Sequence, residues 1–112
     1  MRRARARTPV PKGKNKLERD WGAMLKLSST VVRAEFEAIK LRLADHTYYK
    51  PDWFVVRKDG TIELHETKGF MREAARVRLR ACAERYPEFL FVLVTKPKGR
   101  WKTEELPEAG EV

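Results

Sequence analysis

Lys58-Asp59-Gly60 constrains what this chain can fold into more than any other triplet. Asp-Gly tolerates the positive φ of a tight hairpin, and it stands between two runs with strand character, about Tyr48 to Arg57 and Thr61 to Lys68. The two strands must then run antiparallel, with the start of the first beside the end of the second. Asp52 lies seven residues before Asp59, while Glu66 and Lys68 lie six and eight after Gly60. All three side chains therefore arrive at the same end of the hairpin. Pro51 has no N–H for a sheet ladder, so Pro51-Asp52 marks the beginning of a strand or an edge.

The second of these strands alternates cleanly. Ile62, Leu64, Glu66 and Lys68 fall on one face, and Thr61, Glu63, His65 and Thr67 on the other. The face with the apolar pair is expected to point inward, which makes Glu63 and His65 an ordinary solvent face. A strand that turns a carboxylate and an ammonium to its inward side, next to Gly69, carries groups that are costly to bury and so have a purpose.

The rest of the chain reads in order. Residues 1–13 mix bases with Pro9, Pro11 and Gly13 and are expected to be a disordered basic arm. From Asn15, a plausible N-cap, the residues Leu17, Trp21, Met24, Leu25, Ser28 and Val31 or Val32 follow helical spacing. Glu35 to Leu43 switches to a two-residue period with a change of parity, read as a strand with a bulge. Asp45-His46-Thr47 makes a turn. A second helix over about Met71 to Tyr86 buries Ala74, Ala75, Leu79, Cys82, Ala83 and Tyr86, and Pro87 ends it. The unbroken apolar run Phe89 to Val94 is a strand covered on both faces. Residues 97–112 read as a short polar, solvated tail. The domain then spans residues 14–96, in the order α-β-β-β-α-β, with a central mixed sheet flanked by helices (an α/β or α+β fold).

Charge narrows the partner. Lys and Arg number 25 against 16 Asp and Glu, for a net charge of +9, and residues 2–16 hold seven bases without an acid. Such an arm attracts polyanions and gains affinity by releasing counterions from a phosphate backbone; the bland alternative is a solvated tail. One cysteine excludes an internal disulfide or a cysteine-rich zinc site. The longest apolar run is six residues, against roughly 18 for a membrane span, and the basic start lacks a secretory apolar core, so a cytoplasmic setting is expected.

Two carboxylates converging on one spot repel each other unless a positive charge intervenes. Asp52 and Glu66 suit Mg²⁺, with Mn²⁺ as a substitute, because such an ion takes few protein carboxylates and keeps waters or phosphate oxygens. Lys68 would orient or deprotonate a water, or offset charge on a pentavalent phosphorus. Glu18, at the border of the first helix's apolar stripe, is placed to join them. The competing reading is a structural salt bridge at Lys68 and a solvated Glu18.

Lys16-Leu17-Glu18-Arg19 on a leading helix, Tyr49-Lys50-Pro51-Asp52-Trp53 on a strand and Glu66-Thr67-Lys68-Gly69 on the next resemble the PD-(D/E)xK nuclease superfamily. The nearer likeness is to small phage-type and archaeal-type Holliday-junction resolving endonucleases, over roughly residues 14–96. The resemblance implies a restriction-endonuclease-like core and a metal-dependent DNA endonuclease selective for branched DNA, in the host cytoplasm if phage-encoded. It gives metal binding to Asp52 and Glu66, assistance of the nucleophile to Lys68, and completion of the site to Glu18, for which Glu35 and Glu37 compete. A chain of 112 residues has little surface for gripping a four-way junction, so a homodimer is expected. Rival readings are a nickase of low structural preference and a non-catalytic DNA-binding module of the same fold.

Arg72, Arg76 and Arg80 recur every fourth residue and would form a basic ridge away from the second helix's apolar stripe. With Arg2, Arg3, Arg5 and Arg7 of the arm they are the candidate DNA contacts. His46 and His65 read as surface residues with no zinc role, Cys82 as inert packing, and Tyr48, Tyr49 and Trp53 as sheet packing before base stacking.

Overall fold

Helix α1 (Lys16–Leu27) starts where the capping signal puts it. The Asn15 side chain accepts the Glu18 N–H, and the Glu18 carboxylate accepts the Asn15 N–H, so two otherwise orphaned donors are satisfied reciprocally. Ser28 ends the helix, and the β-branched run Thr30-Val31-Val32 prefers extended backbone. The structure, a computed structural model, describes residues 14–70 and 73–107. After α1 come β1 (Val31–Phe36), β2 (Leu41–Ala44), β3 (Thr47–Tyr49), β4 (Trp53–Arg57), β5 (Ile62–Thr67), α2 (Glu73–Arg85), β6 (Leu90–Thr95) and β7 (Lys102–Leu106).

The chain is a mixed α+β fold around a five-stranded sheet ordered β1-β4-β5-β6-β7, with β2 and β3 forming a separate two-stranded hairpin. The expected hairpin is β4–β5, antiparallel with Trp53 opposite His65. Strand β6 lies parallel to β5, with α2 as the crossover that a parallel pair requires. Among the described residues, no helix is long and apolar enough to cross a membrane.

Several expectations are corrected. The strand expected over Glu35–Leu43 is two strands in different sheets, β1 and β2, and its bulge falls earlier, between Val31 and Arg33. The run Tyr48–Arg57 is divided by Lys50-Pro51-Asp52 into β3 and β4, because proline cannot donate to the ladder. Residues 97–112 do not form a solvated tail throughout: β7 pairs antiparallel with β6, and Leu106 is buried against the core. The domain therefore extends past residue 96. The basic arm over residues 1–13 lies outside the described residues.

The sheet is covered on both faces. On one, Leu64, Phe91, Leu93 and Leu106 pack with Leu79, Cys82 and Ala83 of α2 and with Leu41 and Tyr49 of the small hairpin. On the other, Leu25 of α1 packs on Trp53 and Val55, with Trp21 and Phe36 at the margins. Met24, read as part of that stripe, is exposed. Gly22 permits the close approach of α1, since a Cβ there would stand 2.4 Å from the Trp53 ring.

Candidate active site

Continuing the β4–β5 register past Trp53 opposite His65 brings Asp52 opposite Glu66. Both carboxylates are buried, at the rim where β5 ends and β4 begins. Asp52 Oδ2 accepts two hydrogen bonds from Thr67, one from its N–H at 2.8 Å and one from its hydroxyl at 2.9 Å. Tyr49 Oη donates to Glu66 Oε1 at 2.5 Å, and Lys68 Nζ lies 3.2 Å from Glu66 Oε2. The Lys68 side chain keeps 35% of its surface in solvent, so the cluster opens to bulk water on that side.

The electrostatics follow from this placement. Burial, and then the Glu66 charge, push the Asp52 carboxyl up to about 7 despite the Thr67 hydrogen bonds, and the Glu18 charge adds to the rise. Burial and the same Glu66 charge push the Tyr49 hydroxyl up, which keeps it a donor. Asp52 itself has no ion-pair partner among the described residues.

Asp52, Glu66 and Lys68 are thus brought together as the hairpin count predicts. Glu18 is their neighbour, but its Oε1 is committed to the Asn15 N–H at 2.9 Å. Among the described residues no group of three or more His, Cys, Asp or Glu is gathered closely enough to hold a metal. The rim therefore offers two converging carboxylates, with the third carboxylate serving as a helix cap. Glu35 and Glu37 do not displace Glu18, being occupied in exposed pairs with Arg33 and Lys50.

The face of β5 expected to meet solvent is instead a buried polar network. His65 is 1% exposed, and Glu63 is also buried. Trp21 Nε1 donates to His65 Nδ1 at 2.9 Å, which assigns the ring proton to Nε2, the donor to Glu63 Oε1 at 2.8 Å. Arg57 grips both Glu63 oxygens at 3.0 Å. Burial would raise the Glu63 carboxyl, but the His65 and Arg57 hydrogen bonds outweigh it and hold it down at about 2. A partial signal for this lay in the apolar run of β6: it shows that both faces of the sheet are covered there, and β5, unlike the edge strand β7, lies in the middle of the sheet.

The arginine ridge is also revised. Arg76 shares the sheet-facing side of α2 with Leu79 and pairs with Glu104 of β7 at 3.4 Å, so the row does not run along the outer face. Arg72, Arg2, Arg3, Arg5 and Arg7 lie outside the described residues. Tyr49 and Trp53 are buried, as sheet packing requires, and Cys82 is a buried free thiol whose pKa burial raises. No protein-family profile, curated protein or solved structure matches this chain.

Proposed function

We propose that the chain is a metal-dependent endodeoxyribonuclease that hydrolyses phosphodiester bonds, selective for branched DNA such as Holliday junctions and acting as a homodimer that presents two sites. The observation that carries this reading is the pair of buried carboxylates, Asp52 and Glu66, opposed across adjacent strands beside the half-open Lys68 ammonium. A structural salt bridge needs one acid for one base. Here Lys68 pairs with Glu66 alone, and the adjoining buried Asp52 has no cation among the described residues and is pushed up to about 7.

The donor set fits Mg²⁺ or Mn²⁺, because it is all oxygen and carries more negative charge than Lys68 offsets. Asp52 and Glu66 would hold the ion, with waters and substrate oxygens filling its other positions. Once bound, it lowers the pKa of a coordinated water and shields the phosphoryl oxygens. Thr67 restrains Asp52 Oδ2, Oδ1 has no donor among the described residues, and Tyr49 fixes the rotamer of Glu66. Lys68 orients the attacking water and offsets charge building on phosphorus. Glu18 caps α1 and adds negative charge at the rim.

Cleavage of a four-way junction and of a linear duplex by the parent, Asp52→Asn and Glu66→Gln tests this reading. The parent should cut the junction in Mg²⁺ but not in EDTA, and each variant should be slower by about 100-fold or more while still binding DNA. Equal cutting of both DNAs means a nickase of low structural preference. A parent inert on both supports the non-catalytic DNA-binding module, a reading favoured by one observation: both Glu66 oxygens already have protein partners.

A further inference from the structure

The five-stranded sheet has two ends of different electrical character. Because β6 runs parallel to β5, with Val94 beside Thr67, the β6–β7 turn emerges at the same rim as Asp52, Glu66 and Lys68. That turn and its flanks hold Lys96, Lys98, Arg100 and Lys102 with no acid before Glu104. Lys98 and Arg100 are exposed and make no ion pair among the described residues, and Lys98 sits at φ 54°, a left-handed tip that carries its side chain at the apex. The base of the turn is anchored on α1. Lys96 Nζ lies 4.5 Å from the centre of the Trp101 ring, which packs 4.9 Å from Trp21.

A second basic feature lies along α1. A groove of about 280 Å³ is lined by Lys14, Arg19, Gly22, Ala23, Lys26 and Trp53, three cations and no acid, and its floor residue Trp53 adjoins Asp52. Arg19, Gly22, Ala23 and Lys26 share one side of the helix, while Trp21 and Asp20 look toward the β6–β7 turn. The first turn of α1 thus runs between two cationic surfaces. At the opposite end of the sheet the connections carry mixed charge, with Lys58 beside Asp59 and Arg85 followed by Glu88.

We propose that Lys98 and Arg100 of the β6–β7 turn, and Lys14 and Arg19 at the start of α1, are the two halves of one phosphate-backbone track crossing the rim that holds Asp52 and Glu66. The partner is a DNA backbone. The surface charge of this end is positive overall: Asp20 and Glu37 are paired with Lys16 and Lys50, Glu18 caps α1, and Lys98, Arg100, Lys14 and Arg19 make no ion pair among the described residues, so a scissile phosphate would stand at the carboxylate pair between cations. The assignment rests on the nuclease reading for its substrate, and it moves the DNA contacts from the arginine row of α2 to α1 and the β6–β7 turn.

The test is fluorescence anisotropy of the full chain with a labelled duplex and a labelled four-way junction, in EDTA, over a salt series. Lys98→Ala/Arg100→Ala should raise Kd by about tenfold and flatten the log–log salt slope by about two. Lys14→Ala/Arg19→Ala should act in the same direction, which keeps the outcome independent of any one variant's folding. Lys58→Ala/Arg85→Ala removes the same charge from the far end and should change Kd by less than about twofold. Equal losses in all three double variants, or a parent that binds neither DNA, overturn the track. Lost affinity in the rim variants of a parent that cuts nothing upholds the track and refutes the nuclease. Unchanged affinity in the rim variants of a parent that cuts does the reverse.

Discussion

Glu63 on β5 and Asp52 just before β4 lie at the same depth, each 8% exposed, and they are treated oppositely. Glu63 receives both nitrogens of the Arg57 fork and a hydrogen bond from His65, and its carboxyl is held at about 2. Among the described residues, Asp52 receives only the neutral Thr67 donors; it faces a second acid and rises to about 7. Burial is common to both, so the difference comes from the partner. A buried acid with a bidentate cation is a fastener between strands. A buried acid without one is a site with an unmet need for positive charge.

The largest effect should come from breaking the fastener. Arg57→Ala leaves Glu63 buried with His65 alone, and urea unfolding at pH 7 should give a loss of about 3 kcal/mol. Arg57→Ala/Glu63→Gln should regain most of it. An Arg57→Ala variant as stable as the parent would erase the contrast between the two acids.

The next effect is on pH dependence, and the two acids should act with opposite signs. Asp52 rises from its ordinary 3.8 to about 7, so the folded state holds a proton that the unfolded chain has lost, and its contribution to stability falls as pH climbs between those values. Glu63 is lowered from 4.5 to about 2, so its contribution is full above 4.5 and is lost as pH falls toward 2. In EDTA, Asp52→Asn should therefore be more stable than the parent by about 2 kcal/mol at pH 8 and equal to it near pH 4. Urea midpoints across that range check the sign, and a constant offset would place the burden elsewhere than on ionisation.

The smallest effect sharpens the comparison at Glu66. Tyr49→Phe removes the donor to Oε1 and should lower stability by about 1 kcal/mol in urea unfolding, with no change in fold by circular dichroism. No loss at all would mean that the Tyr49 hydroxyl does not restrain the carboxylate.

Much of the site was legible because it depends on local arithmetic. Asp59-Gly60 commits the chain to a turn, a turn sets register, and register brings Asp52 opposite Glu66 whatever else the protein does. The Asn15 cap was equally local. His65 and β7 were not legible, for one shared reason. Whether Glu63 and His65 meet water depends on α1 lying over them, and whether residues 102–106 form a strand depends on β6 offering an unpaired edge. Nothing within either segment encodes those neighbours.

The order of residues by itself determined the hairpin, the start of α1, the convergence of Asp52, Glu66 and Lys68, and the excess of positive charge. Those follow from backbone sterics and counting, which act over a few residues. Tertiary structure alone decided which acid received a cation, and that the β6–β7 turn would stand at the rim of the carboxylate pair. Burial and pairing are properties of surfaces brought together from distant parts of the chain, and their energies exist only once those surfaces have closed on each other.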